Sequence, residues 1–269
     1  MKKLYFLVII VFFSVSVIAQ DSLKTESKSF VFDVSGGGVM SSFQDRKYSD
    51  LKFTGYGANY GFNLEWRKKS IIGFGLNGIY SNQKPKNFEG GEASINAGQL
   101  YFKYLYPINV SQKFNLFVGG KADLFDGTMR ISQGLTNNSA YIIVGGGLKA
   151  FAMIEKQLND KWLMTADLGF QLFALQDEYM SFAYMANQKI LESGEYNYED
   201  PTMPLFFTPF WRYLNIETNI RFHYGKRWIF SYLWRMQQSY LVKGYPMTKG
   251  YSAISVGFKI MNRNKAVSK

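Results

Sequence analysis

The sequence predicts an all-β protein: a transmembrane antiparallel up-and-down β-barrel of about ten strands with a plugged polar lumen. Three observations predict it. Large apolar residues alternate with small or polar ones along successive stretches of the chain, which is the period of a strand with two unlike faces. Short spacers alternate with longer ones between these stretches, and the charged residues within them all share the polar parity.

The alternating stretches follow one another through the chain. The first five cover about 30–34, 56–66, 72–80, 100–106 and 114–124, each too short and too regular in period two to be a helix. The other five cover about 142–154, 162–172, 214–222, 228–236 and 254–260. Glycines within these runs weaken them as ordinary strands, but they suit a narrow barrel interior where bulky side chains would collide.

The spacers predict an up-and-down path. Residues 67–70, 107–113, 155–161 and 225–227 are short, whereas 43–52, 81–93, 125–139 and 176–208 are longer and 243–250 is intermediate. Tight turns at one end and longer loops at the other are typical of membrane barrels. An even number of strands places both termini at the short-turn end.

The charges indicate which face meets lipid. Eleven charged residues lie on the polar parity and none on the apolar parity: Asp33, Glu65, Lys103, Lys121, Asp123, Lys149, Asp167, Glu217, Arg221, Arg235 and Lys259. A charge on the lipid face costs about 2–4 kcal/mol at mid-depth, so the polar face must line the lumen. Trp66, Tyr106, Trp162 and Trp228 lie beside the short turns, where an interfacial aromatic girdle is expected.

The N-terminus has the features of a secretory signal peptide over residues 1–19, with a basic start, an apolar run and a small-residue cleavage site ending at Ala19. Residues 20–269 are then one barrel domain, with a net charge of +9 once Lys2 and Lys3 are removed. The absence of Cys excludes disulfides and lipid attachment at an N-terminal Cys. A lipid-facing barrel explains the basic charge without a nucleic-acid partner.

Six basic and five acidic residues make the predicted lumen nearly neutral, and ten strands enclose little more space than side chains can fill. A three-residue 225–227 hairpin loop places Glu217 opposite Arg235, Arg221 opposite Ser231 and His223 opposite Ile229. Centring the 155–161 turn on Leu158 places Lys149 opposite Asp167. We predict that these six charged or titratable residues form an internal salt-bridge network, since structural ion pairs are commoner than catalytic ones.

Few residues point to catalysis or cofactors. His223 is the only histidine and there is no cysteine, so no Cys/His metal set or thiol nucleophile exists. His223 lies two residues before a short turn, where a structural role is expected over that of a general base. No catalytic residue, metal or cofactor is predicted.

The longest loop, 176–208, is the candidate recognition surface. It carries six acids against Lys189 and is rich in aromatic residues, a composition that suits a protein or glycan contact and, through clustered carboxylates, would also suit Ca²⁺. The equal alternative is that the loop folds back to cap the barrel. The candidate contact residues are Tyr179, Tyr184, Glu195, Tyr196, Tyr198, Glu199 and Asp200.

The short turns are basic, at 67–69, Lys156 with Lys161, and 226–227. They are either solvated turn residues or contacts for anionic groups at the membrane surface.

This organisation resembles the small outer-membrane β-barrel proteins of Gram-negative bacteria, over about residues 29–262, through its alternation, turns and girdle. The end of the signal, 18–20, is similar to those common in Bacteroidota, while the basic tail after Phe258 departs from the aromatic ending of many such barrels. The resemblance implies an outer-membrane location with periplasmic termini and contact with outer-membrane lipids.

The predicted function is non-enzymatic: a surface recognition protein or accessory subunit of an outer-membrane complex, whose partner is another outer-membrane or surface protein or a glycan. Two alternatives stay open. One is a hydrolase acting on lipid A or peptides, because omptin proteases and lipid A deacylases are similar in size and architecture. The other is a small diffusion channel.

Overall fold

The computed structural model describes residues 29–46, 51–85, 91–111, 114–133, 137–181, 206–239 and 246–263; the predicted signal peptide lies outside them. Eleven strands are present in this part of the chain: β1 Ser29–Asp45, β2 Phe53–Arg67, β3 Ile71–Pro85, β4 Gly91–Ser111, β5 Phe114–Gln133, β6 Asn137–Gln157, β7 Trp162–Ser181, β8 Phe206–Pro209, β9 Tyr213–Tyr224, β10 Trp228–Ser239 and β11 Met247–Arg263. The same residues contain no helix long and apolar enough to cross a membrane.

The strands form a closed antiparallel barrel, as the sequence predicts. Apart from β8 and β9, consecutive strands pair with each other, and β1 pairs with β11 to close the wall. The short strand β8 pairs with the far half of β7, and β9 pairs with the near half. Because β8 and β9 share one place in the wall, eleven strands make ten barrel positions.

The strands are strongly tilted. Following paired residues once around the barrel from Met164 of β7 leads back to β7 at Asp177, 13 residues further along. Such a displacement is the stagger that a closed barrel requires when its strands tilt.

The connections define the two ends of the barrel. Residues 68–70, 112–113, 158–161 and 225–227 connect strands at what we call the short-turn end, where Ser29 also pairs with Arg263. The opposite end, called the long-loop end, holds the connection 182–205. The strands extend further than predicted at both ends, into 43–45, 67, 81–85, 91–93, 107–111, 125–133, 137–139, 155–157, 176–181, 206–208 and 247–250. The loop boundaries were wrong because the alternation marks only the apolar part of a strand, whereas backbone pairing continues beyond it.

The two faces of the wall are inverted relative to a soluble protein. All eleven charged residues of the predicted polar parity are buried inside, and large apolar side chains such as Leu168, Ile254 and Phe230 are exposed outside. Trp66 and Trp228 are half exposed at the short-turn end. This arrangement matches the predicted lipid-facing exterior and polar lumen.

The lumen also contains two apolar clusters that the alternation did not predict. One lies towards the long-loop end and consists of Val39, Phe43, Phe53, Ile79, Ala93, Ile95, Met247 and Ala253. The other lies towards the short-turn end and consists of Ile71, Leu105, Phe151 and Met153, with Phe117 packed against it. Buried charges occupy the space between and beside them.

Candidate functional site: the ion-pair network of the lumen

Glu217 of β9 is the centre of the first group of charges, which we call the upper cluster. Its Oε2 accepts a hydrogen bond from Lys149 Nζ at 2.7 Å and forms an ion pair with Arg235 Nη2 at 2.8 Å. Its Oε1 accepts a hydrogen bond from Lys121 Nζ. All four side chains are buried, so one carboxylate is shared by three cations from β5, β6 and β10.

Two further residues close the upper cluster into a ring. Asp123 Oδ2 accepts from Lys149 Nζ at 2.8 Å and also from the amide of Gln99. Gln99 Oε1 in turn accepts from Arg235. The ring therefore runs from β9 and β10 across the lumen to β4, β5 and β6, and it ties the two walls together.

Glu65 of β2 is the centre of the second group, the lower cluster, near the short-turn end. Its Oε1 accepts from Lys103 Nζ at 2.7 Å and lies 4.0 Å from Arg221 Nη1. Its Oε2 accepts from Arg67 Nη2 at 2.6 Å. Arg67 also pairs with Glu155, and Arg221 pairs with Asp167 at 3.3 Å.

Tyr101 connects the two clusters. Its hydroxyl donates to Asn63 Oδ1 at 3.0 Å, and Asn63 Nδ2 donates to Asp33 and Glu65. Lys121 Nζ of the upper cluster lies 4.3 Å from the centre of the Tyr101 ring, within the range of a cation–π interaction.

Glycines on β3 make room for these long side chains. A Cβ at Gly75 would lie 2.4 Å from the Tyr101 hydroxyl oxygen, and one at Gly73 would lie 2.5 Å from Lys103 Cε. A side chain at Gly73 would displace the flexible Lys103, whereas one at Gly75 would also meet the Phe62 carbonyl oxygen at 2.6 Å, so glycine at 75 leaves the space that Tyr101 occupies.

The described residues enclose two small cavities in the lumen. One, of ≈ 100 Å³, lies towards the long-loop end and is bordered by Asn59, Phe125 and Tyr213. The other, of ≈ 70 Å³, is bordered by Asp33, Asp167 and Glu217. Arg235 is one of several residues that border both cavities, and its partner Glu217 borders the smaller one.

The predicted register of the β9–β10 hairpin is confirmed. Glu217 pairs with Arg235, Arg221 with Ser231 and His223 with Ile229. Gly225, with φ at 57°, permits the short turn that fixes this register.

The predicted register of the β6–β7 hairpin was wrong. Lys149 pairs with Gln171, and Asp167 pairs with Met153. The turn lies at 158–161 and is therefore centred later than Leu158, which shifts the pairs from Gln157 to Lys149 by four positions; beyond the bulge at Leu148/Lys149 the shift is five. Lys149 consequently bonds to Asp123 and Glu217 across the lumen. A bulge at Leu148/Lys149 is filled by Gln171, whose amide donates to Phe173 O at 2.6 Å.

His223 lies buried near the short-turn end, with its Nε2 3.3 Å from Thr165 Oγ1. Its Nδ1 has no hydrogen-bond partner among the described residues. A hydroxyl beside an imidazole resembles a nucleophile and its base, but the acid that would orient the base is missing from the described part of the chain.

The candidate recognition residues lie mostly beyond the structure. Tyr179 belongs to β7, which corrects its assignment to a loop. Tyr184, Glu195, Tyr196, Tyr198, Glu199 and Asp200 lie outside the described residues. In the part of the chain that is described, no group of three or more His, Asp or Glu side chains is placed to hold a metal ion.

Several members of the two clusters were missing from the predicted network, namely Lys121, Asp123, Gln99, Lys103, Glu65, Arg67, Glu155 and Tyr101. The sequence carried a signal for all of them, because each has the inward parity of its strand. What it lacked was the pairing between distant strands, since ion pairs such as Lys121 with Glu217 depend on how the barrel closes.

Comparisons with known proteins establish the fold. No protein-family model matches the chain, and no curated protein matches it. The structure is similar to the outer membrane protease OmpT from Escherichia coli, with 8% sequence identity, 90% of this chain and 99% of that chain covered, and a TM-score of 0.56. Similarity to the translocator domain of the autotransporter NalP from Neisseria meningitidis is lower, with 7% identity, 91% and 92% covered, and a TM-score of 0.44. Ail, the attachment invasion locus protein of Yersinia pestis, has 9% sequence identity and a TM-score of 0.37, with 87% of this chain and 99% of that chain covered. The chain therefore has the barrel fold found in an outer-membrane protein.

Proposed function

We propose that this protein is a non-enzymatic outer-membrane barrel that serves as a surface recognition protein or as an accessory subunit of an outer-membrane complex. Its termini lie on the periplasmic side, and the connection 182–205 faces outwards. Partner contacts are made by the loop residues at the long-loop end, with another outer-membrane or surface protein or a glycan.

The observation that carries this proposal is the filled lumen. The upper cluster joins opposite walls through Glu217, and an apolar cluster lies on either side of the ionic layer. A barrel filled in this way has little room to transport a solute, which leaves its surfaces to carry the function.

Planar-bilayer recording tests the plug. The purified wild-type barrel is expected to give no steady conductance, because buried ion pairs such as Glu217 with Arg235 and two apolar clusters occupy the lumen. Steady conductance in the wild type that changes in Glu217→Ala would instead support the small diffusion channel.

Partner capture tests recognition. The tagged barrel is crosslinked in mildly solubilised outer membranes, and we expect one stoichiometric partner that is lost when residues 184–203 are replaced by a Gly-Ser linker. Replacing 86–90 in the same way is the control. If the wild-type barrel and the 86–90 control are both recovered without a partner, the accessory role is contradicted.

Labelling tests the orientation. The chain has no Cys, so single cysteines at Asn187 and Lys226 are the only reactive thiols in their variants. A membrane-impermeant maleimide applied to whole cells should label the first and not the second; the reverse pattern would invert the barrel.

The hydrolase remains the second candidate because of one contact, His223 Nε2 to Thr165 Oγ1 at 3.3 Å. A hydrolase acting on lipid A or peptides would lose activity in His223→Ala and in Thr165→Val. Unchanged lipid A and peptide profiles in both variants would remove this candidate.

A further inference from the structure

The outer surface of the barrel carries an open apolar groove at the short-turn end. Leu158, Asn159, Trp162, Phe222 and Phe230 line it, and its volume is ≈ 400 Å³. Phe222 and Phe230 are directly paired across β9 and β10, and the Trp162 ring centre lies 6.1 Å from that of Phe230. The groove is therefore a shallow notch in the lipid-facing wall, next to the tryptophans of the girdle.

Exposed cations occupy the end of β6 and the two turns next to this groove. Lys156, Lys161, Lys226 and Arg227 are all exposed, and Asp160 is the one exposed acid in the two adjoining turns that the structure describes. Gly225 N–H donates to Lys161 O at 2.8 Å, so the β6–β7 and β9–β10 turns are held together. Lys161 is thus bonded to Gly225, the residue before Lys226, so the two lysines come from adjacent turns.

From these two features we infer that the groove is a binding site for one anionic glycerophospholipid of the adjoining leaflet. An acyl chain lies against Trp162, Phe222 and Phe230, and the phosphate lies between Lys161 and Lys226. An apolar groove next to cationic turns matches a lipid at the depth where its acyl chains meet its phosphate. Interfacial tryptophan is favoured at the same depth. This inference rests on the proposed location of the barrel in a membrane.

The site has a clear specificity. Phosphatidylglycerol carries a net negative charge, whereas phosphatidylcholine offers the same chains with a neutral headgroup. The two lysines are exposed, so their attraction to phosphate should weaken as salt is raised. Removing both should therefore weaken binding of the anionic lipid more than that of the neutral one, because the choline of phosphatidylcholine offsets the charge of its phosphate.

Native mass spectrometry of the refolded mature barrel, titrated with each lipid in detergent, tests the inference. We expect one retained phosphatidylglycerol, bound about tenfold more weakly by the Lys161→Gln/Lys226→Gln variant. Leu158→Ser should weaken binding about threefold through the lost chain contact. The matched control is Lys84→Gln/Arg130→Gln, which removes two exposed cations at the other end of the barrel and should bind like the wild type.

Two results would overturn the site: equal affinity for the two lipids, or equal loss in the control and the Lys161/Lys226 variant. Glycerol phosphate is added as a competitor, and displacement of the lipid at equal concentration would show that phosphate alone is recognised, which also contradicts a lipid site. Insertion into phosphatidylcholine vesicles is checked first by heat-modifiable gel migration. Failure to insert contradicts the proposed membrane location, whereas insertion without lipid preference contradicts only this site.

Discussion

The upper and lower clusters of the lumen both place carboxylates among buried cations, yet they share them differently. In the upper cluster Lys121 and Arg235 have Glu217 as their only carboxylate within 4 Å among the described residues. In the lower cluster Arg67 is shared between Glu65 and Glu155, and Arg221 lies between Asp167 and Glu65. Only Lys103 depends on Glu65 alone in the described part of the chain.

The difference concerns how the cost of burying charge is offset. A buried cation that loses its partner is strongly destabilising, even where the intact pair adds little. A single central carboxylate therefore makes the upper cluster sensitive to one substitution, whereas overlapping pairs protect the lower cluster. The upper cluster is also the one that joins opposite walls, so its loss affects more of the barrel.

Glu217→Ala should cause the largest effect. It leaves Lys121 and Arg235 without their carboxylate. Breaking a buried ion pair costs about 3–5 kcal/mol, and we expect the free energy of unfolding to fall by an amount near the top of that range. Denaturant titration in lipid vesicles measures it. The control is Glu217→Gln, which keeps the volume and part of the hydrogen bonding and should lose less. Equal losses in both would show that the charge is not what holds the cluster.

Glu65→Ala should cause a smaller effect by the same measurement. Arg67 keeps Glu155 and Arg221 keeps Asp167, so Lys103 alone loses its carboxylate. We expect a loss near the lower end, about 3 kcal/mol. The double variant Glu65→Ala/Lys103→Met should recover much of this loss, because it removes the unpaired charge as well. A loss as large as that of Glu217→Ala would end the distinction between the clusters.

The sequence was sufficient for the wall and for the choice of inward residues. Parity alone placed Lys121, Lys149, Glu217 and seven other charges inside, together with Lys259. It also gave the Glu217–Arg235 pair, because a three-residue turn leaves one register for the hairpin. The alternation and the turn length depend only on residues that are close in sequence, so both can be derived from the amino-acid sequence.

The same reasoning could not give the partners of Lys149. Its register depends on where the 158–161 turn begins, which leaves no mark on the alternation. Its bonds to Asp123 and Glu217 join β6 to β5 and across to β9. Contacts across a lumen depend on the tilt and closure of the whole barrel, and these are global quantities.

Tyr101→Phe should cause the smallest effect and would test whether the two clusters act together. Phenylalanine keeps a ring over Gly75 and beneath Lys121, and removes only the hydroxyl that donates to Asn63 at 3.0 Å. We expect a loss of about 1 kcal/mol, the usual net contribution of one buried hydrogen bond. Tyr232→Phe is the matched control: the Tyr232 hydroxyl contacts Ser252 at 3.5 Å on the exposed face, so this variant should lose less stability.

The double variant Tyr101→Phe/Glu217→Ala tests whether Tyr101 couples the two clusters. If it does, the two losses in stability should be less than additive, because directly coupled residues do not contribute independently. Strict additivity would mean that the clusters stabilise the barrel separately.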